Sequence, residues 1–494
     1  MLNADEYRSL DALGLGELIA VGDVSAKEVT EVAIAQIERT DPAVNAVVHK
    51  CFERAREQAS LIKSTQGPLS GVPFLLKDLM IGLKGVPLGN GSRAYAGYLS
   101  PVTSTLAQRY LEAGLVVVGK TNTPEFGLMA TTEPQALGVT RNPWDLTRIA
   151  GGSSGGSGAA VASGMVPAAH GGDGGGSIRI PSSCCGLFGL KPSRGRMPQA
   201  TAYHVWLDGV VEHALTRTVR DSAALLDVSY DRGANLPGPE KSFLEDLGGR
   251  LRKLRIAFSA KPYLCDRFAS ECERGLANTV ALCSGLGHEL IESKPPIDQG
   301  RFVEAFVKVL CGEVAAEIMQ TNAVLGRKTT RQDYEAGTWA LALIGGRLSA
   351  GELVQAHRDI QEISAAFRRW TQNFDLVLAP TLAKPPVKLG TLLPSRTDEI
   401  AMKVLGAFGA GSLMRKVGAL EKVATETFSF IPSTPLFNMS GQPAMSVPLH
   451  WSADGLPIGM QFGAQVGQES LLLGFARQLE DAAPWFQRVP EYPR

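Results

Sequence analysis

Residues 151–181 read GGSSGGSGAAVASGMVPAAHGGDGGGSIRIP. Glycine and serine crowd both ends. Between them lie a small-residue segment, SGAAVASG, with helical character, and a short apolar run, MVPAAHG (165–171), with strand character. A helix that feeds a buried strand, flanked by two glycine-rich loops, is an α/β element with chemistry at its ends. Three chemistries could need such loops. A phosphate cradle would use the backbone N–H groups, but no GxxxxGK[ST] string occurs. A dinucleotide fingerprint fails at its third position, since Gly156 and Gly158 are followed by Val161. Close helix packing accounts for Ala159, Ala160, Ala162 and Gly164, but not for two serine clusters behind glycines. Acyl transfer accounts for both. Gly174, Gly175 and Gly176 let successive N–H groups turn toward one oxyanion, and Ser177 follows directly.

A serine nucleophile needs a base. The chain has seven histidines, and only His170 is near in sequence; inside an apparent strand, it reads more simply as structural. No GxSxG elbow occurs. A lysine serves when burial disfavours its ammonium form. Lys77, Lys120 and Lys191 each follow an apolar run, and pattern alone does not choose among them.

The same α/β pattern extends outward. PLSGVPFLLKD (68–78), AGLVVVGKTN (113–122), LRIAFS (254–259) and FDLVLAPT (374–381) read as buried strands, and TSTLAQRYLEA as the helix before the second. Near the N-terminus, Ser25 and Glu28 form a capping box for a helix that Asp41-Pro42 is expected to end. Residues 262–373 are mostly helical by pattern. NMSGQPAMSVP and GLPIGMQF (438–462) predict two strands joined by the turn WSADG. The stretch 391–427 mixes glycine, apolar residues and positive charge, which fits either a packed helical hairpin or a lid. The expected architecture is a twisted mixed sheet with helices on both faces, in one domain spanning 1–494.

Lys plus Arg equals Asp plus Glu, 49 each, so there is no electrostatic case for nucleic acid or an anionic membrane. The polar start MLNADEYRSLD lacks a secretion-signal pattern, and a cytoplasmic location is expected. The cysteines at 51, 184, 185, 265, 272, 283 and 311 form no CxxC pair, which argues for reduced thiols and against a zinc site.

The ordered set GVPFLLKD, GKTNTPEFG, TRNPWD, GGSSGGSGAAVA, DGGGSIRIPSSCCGLFGLKPSRGR, NMSGQPAMSVP and GLPIGMQ resembles the amidase signature family. The resemblance anchors a core of about 10–260 and 374–485 and leaves 262–373 as a loosely matched helical, substrate-side region. It implies a Ser-cisSer-Lys catalytic group: Lys77 as base, Ser153 as relay and Ser177 as nucleophile. The N–H groups of Gly174, Gly175, Gly176 and Ser177 would form the oxyanion hole. Gly174 departs from the family, which commonly has a bulkier residue there. Asp173 and Arg179 would brace the loop as an ion pair. No metal or organic cofactor is implied.

TTEPQALGVTRNPWDL, AAHGGD and PIGMQFGAQVGQESLLL resemble the nylon-oligomer amidases within the family. That likeness implies a small amide substrate, with carbamates or esters as related targets. It also implies a substrate contact at Cys311, which reads equally well as a small buried side chain. Met129 and Ser154 are further candidates for substrate contact. A homodimer is family habit. The alternative is the amidase subunit of a tRNA-dependent amidotransferase.

Overall fold

The computed structural model describes all residues except 1, 63–66, 199–205, 250, 412, 414–423, 426 and 492–494. Eleven strands form one sheet: β1 (Val47–Lys50), β2 (Pro73–Lys77), β3 (Val116–Thr121), β6 (Ala168–Asp173), β7 (Phe188–Lys191), β8 (Val211–Thr216), β9 (Arg255–Phe258), β10 (Glu289–Glu292), β11 (Leu376–Pro380), β12 (Ala444–Trp451) and β13 (Pro457–Gly463). A separate hairpin holds β4 (Arg141–Asn142) and β5 (Asp145–Ile149). The sheet order is β1-β3-β2-β6-β8-β7-β12-β13-β11-β9-β10. β2 runs parallel to both β3 and β6, while β8 is antiparallel to β6 and β7, so the sheet is mixed as expected.

Alternation along the strands separates two cores. Phe74 and Leu76 point into one and Leu75 into the other; Val117 and its neighbours Val116 and Val118 divide the same way. Strands buried on both faces therefore read as continuous apolar runs rather than as alternating ones.

Several boundaries differ from the sequence reading. The helix Ala26–Val44 carries the Ser25–Glu28 capping box but runs through Pro42 to Asn45, whose left-handed backbone ends it. Pro42 lies in the closing turn, where little ladder is left to break, and the Asp41 carboxylate takes over by accepting from the Ala46 and Val47 N–H groups. The helical region holds Ser270–Gly285, Gln299–Leu325, Ala336–Gly345 and Ala350–Thr371, and also strand β10. Within 391–427, residues Arg396–Ala407 form a helix, while 412, 414–423 and 426 lie outside the described residues, and with them about a third of the expected lid.

Candidate active site

β2 ends at Lys77 and β6 at Asp173, side by side in the sheet, and the two glycine-rich loops fold over these ends. The first loop leads into the helix Gly155–Ala162 and the second into Arg179–Cys185. Their glycines are steric requirements. A Cβ on Gly152 would lie 2.6 Å from Thr131 N and O, and one on Gly176, at φ 130°, would lie 2.5 Å from Thr434 Oγ1. The peptide bond between Gly152 and Ser153 is cis.

Lys77 is 1 % exposed, and its Nζ donates to Ser153 Oγ at 2.7 Å and to Gly172 O at 3.3 Å. Burial lowers its ammonium to about 8, against the upward pull of Glu212 and Asp173. Ser177 borders the same cavity as Lys77 and Ser153, and the Ser154 N–H donates to the Ser177 carbonyl, tying the loops together. The other two lysines are placed differently. Lys120 Nζ pairs with Asp78 at 3.0 Å, both fully buried, and Lys191 Nζ donates to Pro192 O. Neither lines the cavity.

Asp173 and Arg179 form a fully buried two-pronged pair, with Nε to Oδ2 and Nη2 to Oδ1 both at 2.9 Å. Burial pushes the Asp173 carboxyl up, but Arg179 outweighs it and holds the group at about 2. Asp173 Oδ1 also accepts the Gly176 N–H at 2.7 Å, and Oδ2 accepts the Ile178 N–H. Arg179 reaches further, to Thr434 O, Gln461 Oε1 and Asn438 Oδ1. The loop is thereby shaped from behind. The amide of Gly176 is committed to that bracing, so of the expected oxyanion donors Gly174, Gly175 and Ser177 face the cavity and Gly176 does not.

The cavity is about 290 Å³ and mainly apolar, walled by Leu79, Met129, Tyr95, Phe126, Trp206, Phe306 and Phe428 among others. Met129, a candidate substrate contact, lines this cavity. Ser154 does not: its Oγ points to Gly172 O. Nor does Cys311, which is 1 % exposed, packs with Ala340 and Ile344, and borders a second cavity that shares Val307, Ala424 and Phe428 with the first. The acid side chains Glu212, Glu313 and Glu317 line the first cavity and were not singled out in the sequence. Burial raises Glu313, and burial with the nearby Glu313 charge raises Glu317 to about 7. A signal existed for these two. Phe306, Leu310, Glu313, Glu317, Gln320 and Val324 recur at helical spacing on one face of Gln299–Leu325, so polar groups interrupt a stripe that otherwise belongs to a wall. Among the described residues, no group of three or more His, Cys, Asp or Glu is placed to hold a metal, and no helix is long and apolar enough to cross a membrane.

The amidase family model matches residues 28–473. A 6-aminohexanoate-cyclic-dimer hydrolase of Paenarthrobacter ureafaciens is 35% identical, covering 97% of this chain and 96% of that protein. The solved structure of 6-aminohexanoate cyclic dimer hydrolase complexed with substrate superposes with a TM-score of 0.87 at 34% identity, over 98% of this chain and 99% of that one. A bacterial aryl acylamidase of the amidase signature family follows at TM-score 0.84 and 28% identity, over 98% and 99%. With its motifs in order, its sheet shared and its full length matched, this chain belongs to the amidase signature family and is an amidohydrolase.

Proposed function

We propose that the protein hydrolyses small amides through an acyl-enzyme on Ser177, with Ser153 as relay and Lys77 as base. The observation that carries this reading is the 2.7 Å contact from a buried, weakly basic Lys77 Nζ to Ser153 Oγ, at the edge of a cavity that Ser177 also borders. Neutral Lys77 takes a proton from Ser153 as Ser153 takes one from Ser177. The Ser177 Oγ–carbonyl bond forms, and the oxyanion is met by the N–H groups of Gly174, Gly175 and Ser177. The C–N bond then breaks, and the amine leaves with the proton returned through Ser153. Water repeats the sequence on the acyl-enzyme and releases the acid. All of these proton transfers are made by side chains of this chain.

The apolar, aromatic cavity suits aliphatic or aryl amides without charge on the acyl part, and the cyclic dimer cleaved by the Paenarthrobacter relative is the first substrate to try. A carbamate presents the same carbonyl with one more oxygen and would follow the same steps. The test is a hydrolysis screen of the purified chain and its Ser177→Ala variant against the cyclic dimer, an aryl amide, a small dicarbamate and glutamine, with peptide mapping after a fluorophosphonate probe. Turnover of the first three with label on Ser177, both lost in the variant, is expected. Turnover of glutamine alone would favour an amidotransferase subunit, and label elsewhere would remove Ser177 from the mechanism.

A further inference from the structure

Behind Lys77 lies a second set of ionisable groups that the steps above do not use. His170 on β6 is wholly buried. Its Nδ1 accepts the backbone N–H of Lys77 itself at 3.3 Å. A nitrogen that accepts carries no proton, so the ring is held as the Nε2–H tautomer. That Nε2 lies 2.5 Å from Glu212 Oε2, off the axis of a hydrogen bond, so the contact is one of charge and dipole. Glu212 stands directly opposite Gly172 in the antiparallel β6–β8 pair. Because Gly172 has no side chain, the carboxylate lies over its backbone, and a Cβ there would be 2.8 Å from Glu212 Oε1. The carbonyl of the same Gly172 accepts from Lys77 Nζ. Lysine, glycine, glutamate and histidine therefore close a ring around the end of β2.

The remaining charges near Lys77 are accounted for. From β6, Asp173 is taken up by Arg179, with Lys191 nearby. Asp78, next along the chain, is taken up by Lys120, with His49 Nε2 at 3.2 Å. From the neighbouring helix, the ring of Tyr110 stacks edge-on to His170, and burial with the Glu212 charge keeps its phenol protonated. His213 turns to Ser222 and is held neutral by burial. Glu313 and Glu317 stand on the cavity wall. Glu212 is left as the carboxylate that faces Lys77 without a cation of its own among the described residues.

We propose that Glu212, oriented by His170, is the counter-charge that poises Lys77 for its proton transfers, a positioning role exercised through the lysine. This rests on Lys77 being the base. The carboxylate favours the ammonium, so it keeps a desolvated lysine basic enough to accept the serine proton, while burial brings the lysine down to where a mildly alkaline pH frees it of its own.

The experiment is the pH dependence of fluorophosphonate labelling and of kcat/KM for wild type, Glu212→Gln and Glu212→Asp, with circular dichroism and thermal melts as controls of folding. Glu212→Gln is expected to move the acid limb of both profiles to lower pH by roughly 1 unit. Glu212→Asp, which draws the charge back by one methylene, should move it in the same direction by less. A limb that stays in place in whichever variant folds, with only the amplitude reduced, would overturn the proposal and leave Glu212 a structural residue. The reading beneath it fails separately: wild-type profiles without an acid limb, or label away from Ser177, would remove Lys77 or Ser177 from the mechanism before any variant is compared.

Discussion

Lys77 and Lys120 stand on adjacent parallel strands, both buried, but Lys120 meets a carboxylate, Asp78, at 3.0 Å, whereas Lys77 meets a hydroxyl, Ser153, at 2.7 Å. The Asp78 carboxylate favours the Lys120 ammonium, working against the burial that lowers it as it lowers Lys77. A lysine facing a serine can give its proton up, and the difference between a structural and a chemical lysine lies in that partner.

Lys77→Ala should therefore lower kcat/KM for any amide by roughly 10³-fold or more at pH 7, with the fold retained, as read by steady-state kinetics and circular dichroism. In the wild type, kcat/KM should rise with pH through about 8 as Lys77 loses its proton. Stability should rise with pH as activity does, over the range from about 8 to 10.5. The folded-state value lies below the ordinary 10.5, so the unfolded chain holds this proton more tightly, and the cost is complete below pH 8 and relieved as pH rises toward 10.5. Lys77→Met should thus stabilise the protein by about 1–3 kcal/mol at pH 7 in urea titrations, and by less at pH 10.

The Asp173–Arg179 pair has no water to fall back on. Arg179→Lys keeps the charge but loses the fork, and with it contacts to Thr434, Asn438 and Gln461; a loss of about 3–5 kcal/mol is expected in denaturant titrations. Asp173 titrates at about 2, below its ordinary 3.8. Its contribution, about 2 kcal/mol, is full above pH 4 and disappears as pH falls through 2. Asp173→Asn should flatten that part of an acid-denaturation curve.

Gly174 leaves room on the cavity wall. A Cβ there meets Val210 Cγ2 at 3.2 Å and the Trp206 ring at 3.7 Å, so the space a larger residue would fill is already bordered by these two. Gly174→Ile should raise KM for a bulky acyl group by roughly 10-fold while sparing acetyl amides, a loss of about 1–3 kcal/mol in one pocket. Equal losses for both would place the effect on the oxyanion loop instead.

Glu317 titrates at about 7 in a cavity whose one basic side chain is Lys77 among the described lining residues. Above that pH the wall gains negative charge. KM for an amide carrying a carboxylate should rise as pH passes 7, KM for its neutral ester should not, and Glu317→Gln should remove the difference.

β2, β3 and β6 were legible because each is buried on both faces and reads as a largely apolar run; β7 and β8 are as fully buried but were missed, since FGLK and VEHALT break the run with glycine or charge. β1 and β10 were missed too, since both are four-residue strands at the sheet's outer edges and half-exposed. The two glycine loops could be read as backbone presenting itself to a reacting group, because side chains there would collide with Thr131 and Thr434. The choice among three lysines could not be read from the residues. Each follows an apolar run, and what separates them are partners 76 residues away for Lys77 and 42 for Lys120; the family likeness named Lys77 where pattern did not. Glu212 was hidden for the same reason, since its neighbour across the sheet is set by strand pairing rather than by any local spacing. Cys311, placed at the substrate by likeness, faces a different helix and cavity here.

Arg179 grips residues 255 to 282 positions further along the chain. Thr434 and Asn438 precede β12 and Gln461 lies on β13, and these two strands sit in the middle of the sheet between β7 and β11. The Ser177 loop is consequently shaped by chain more than 250 residues beyond it. Without that distant chain the Asp173–Arg179 fork would remain, but the buried guanidinium would lose its contacts to Thr434, Asn438 and Gln461, so loop and distant strands are ordered as one unit.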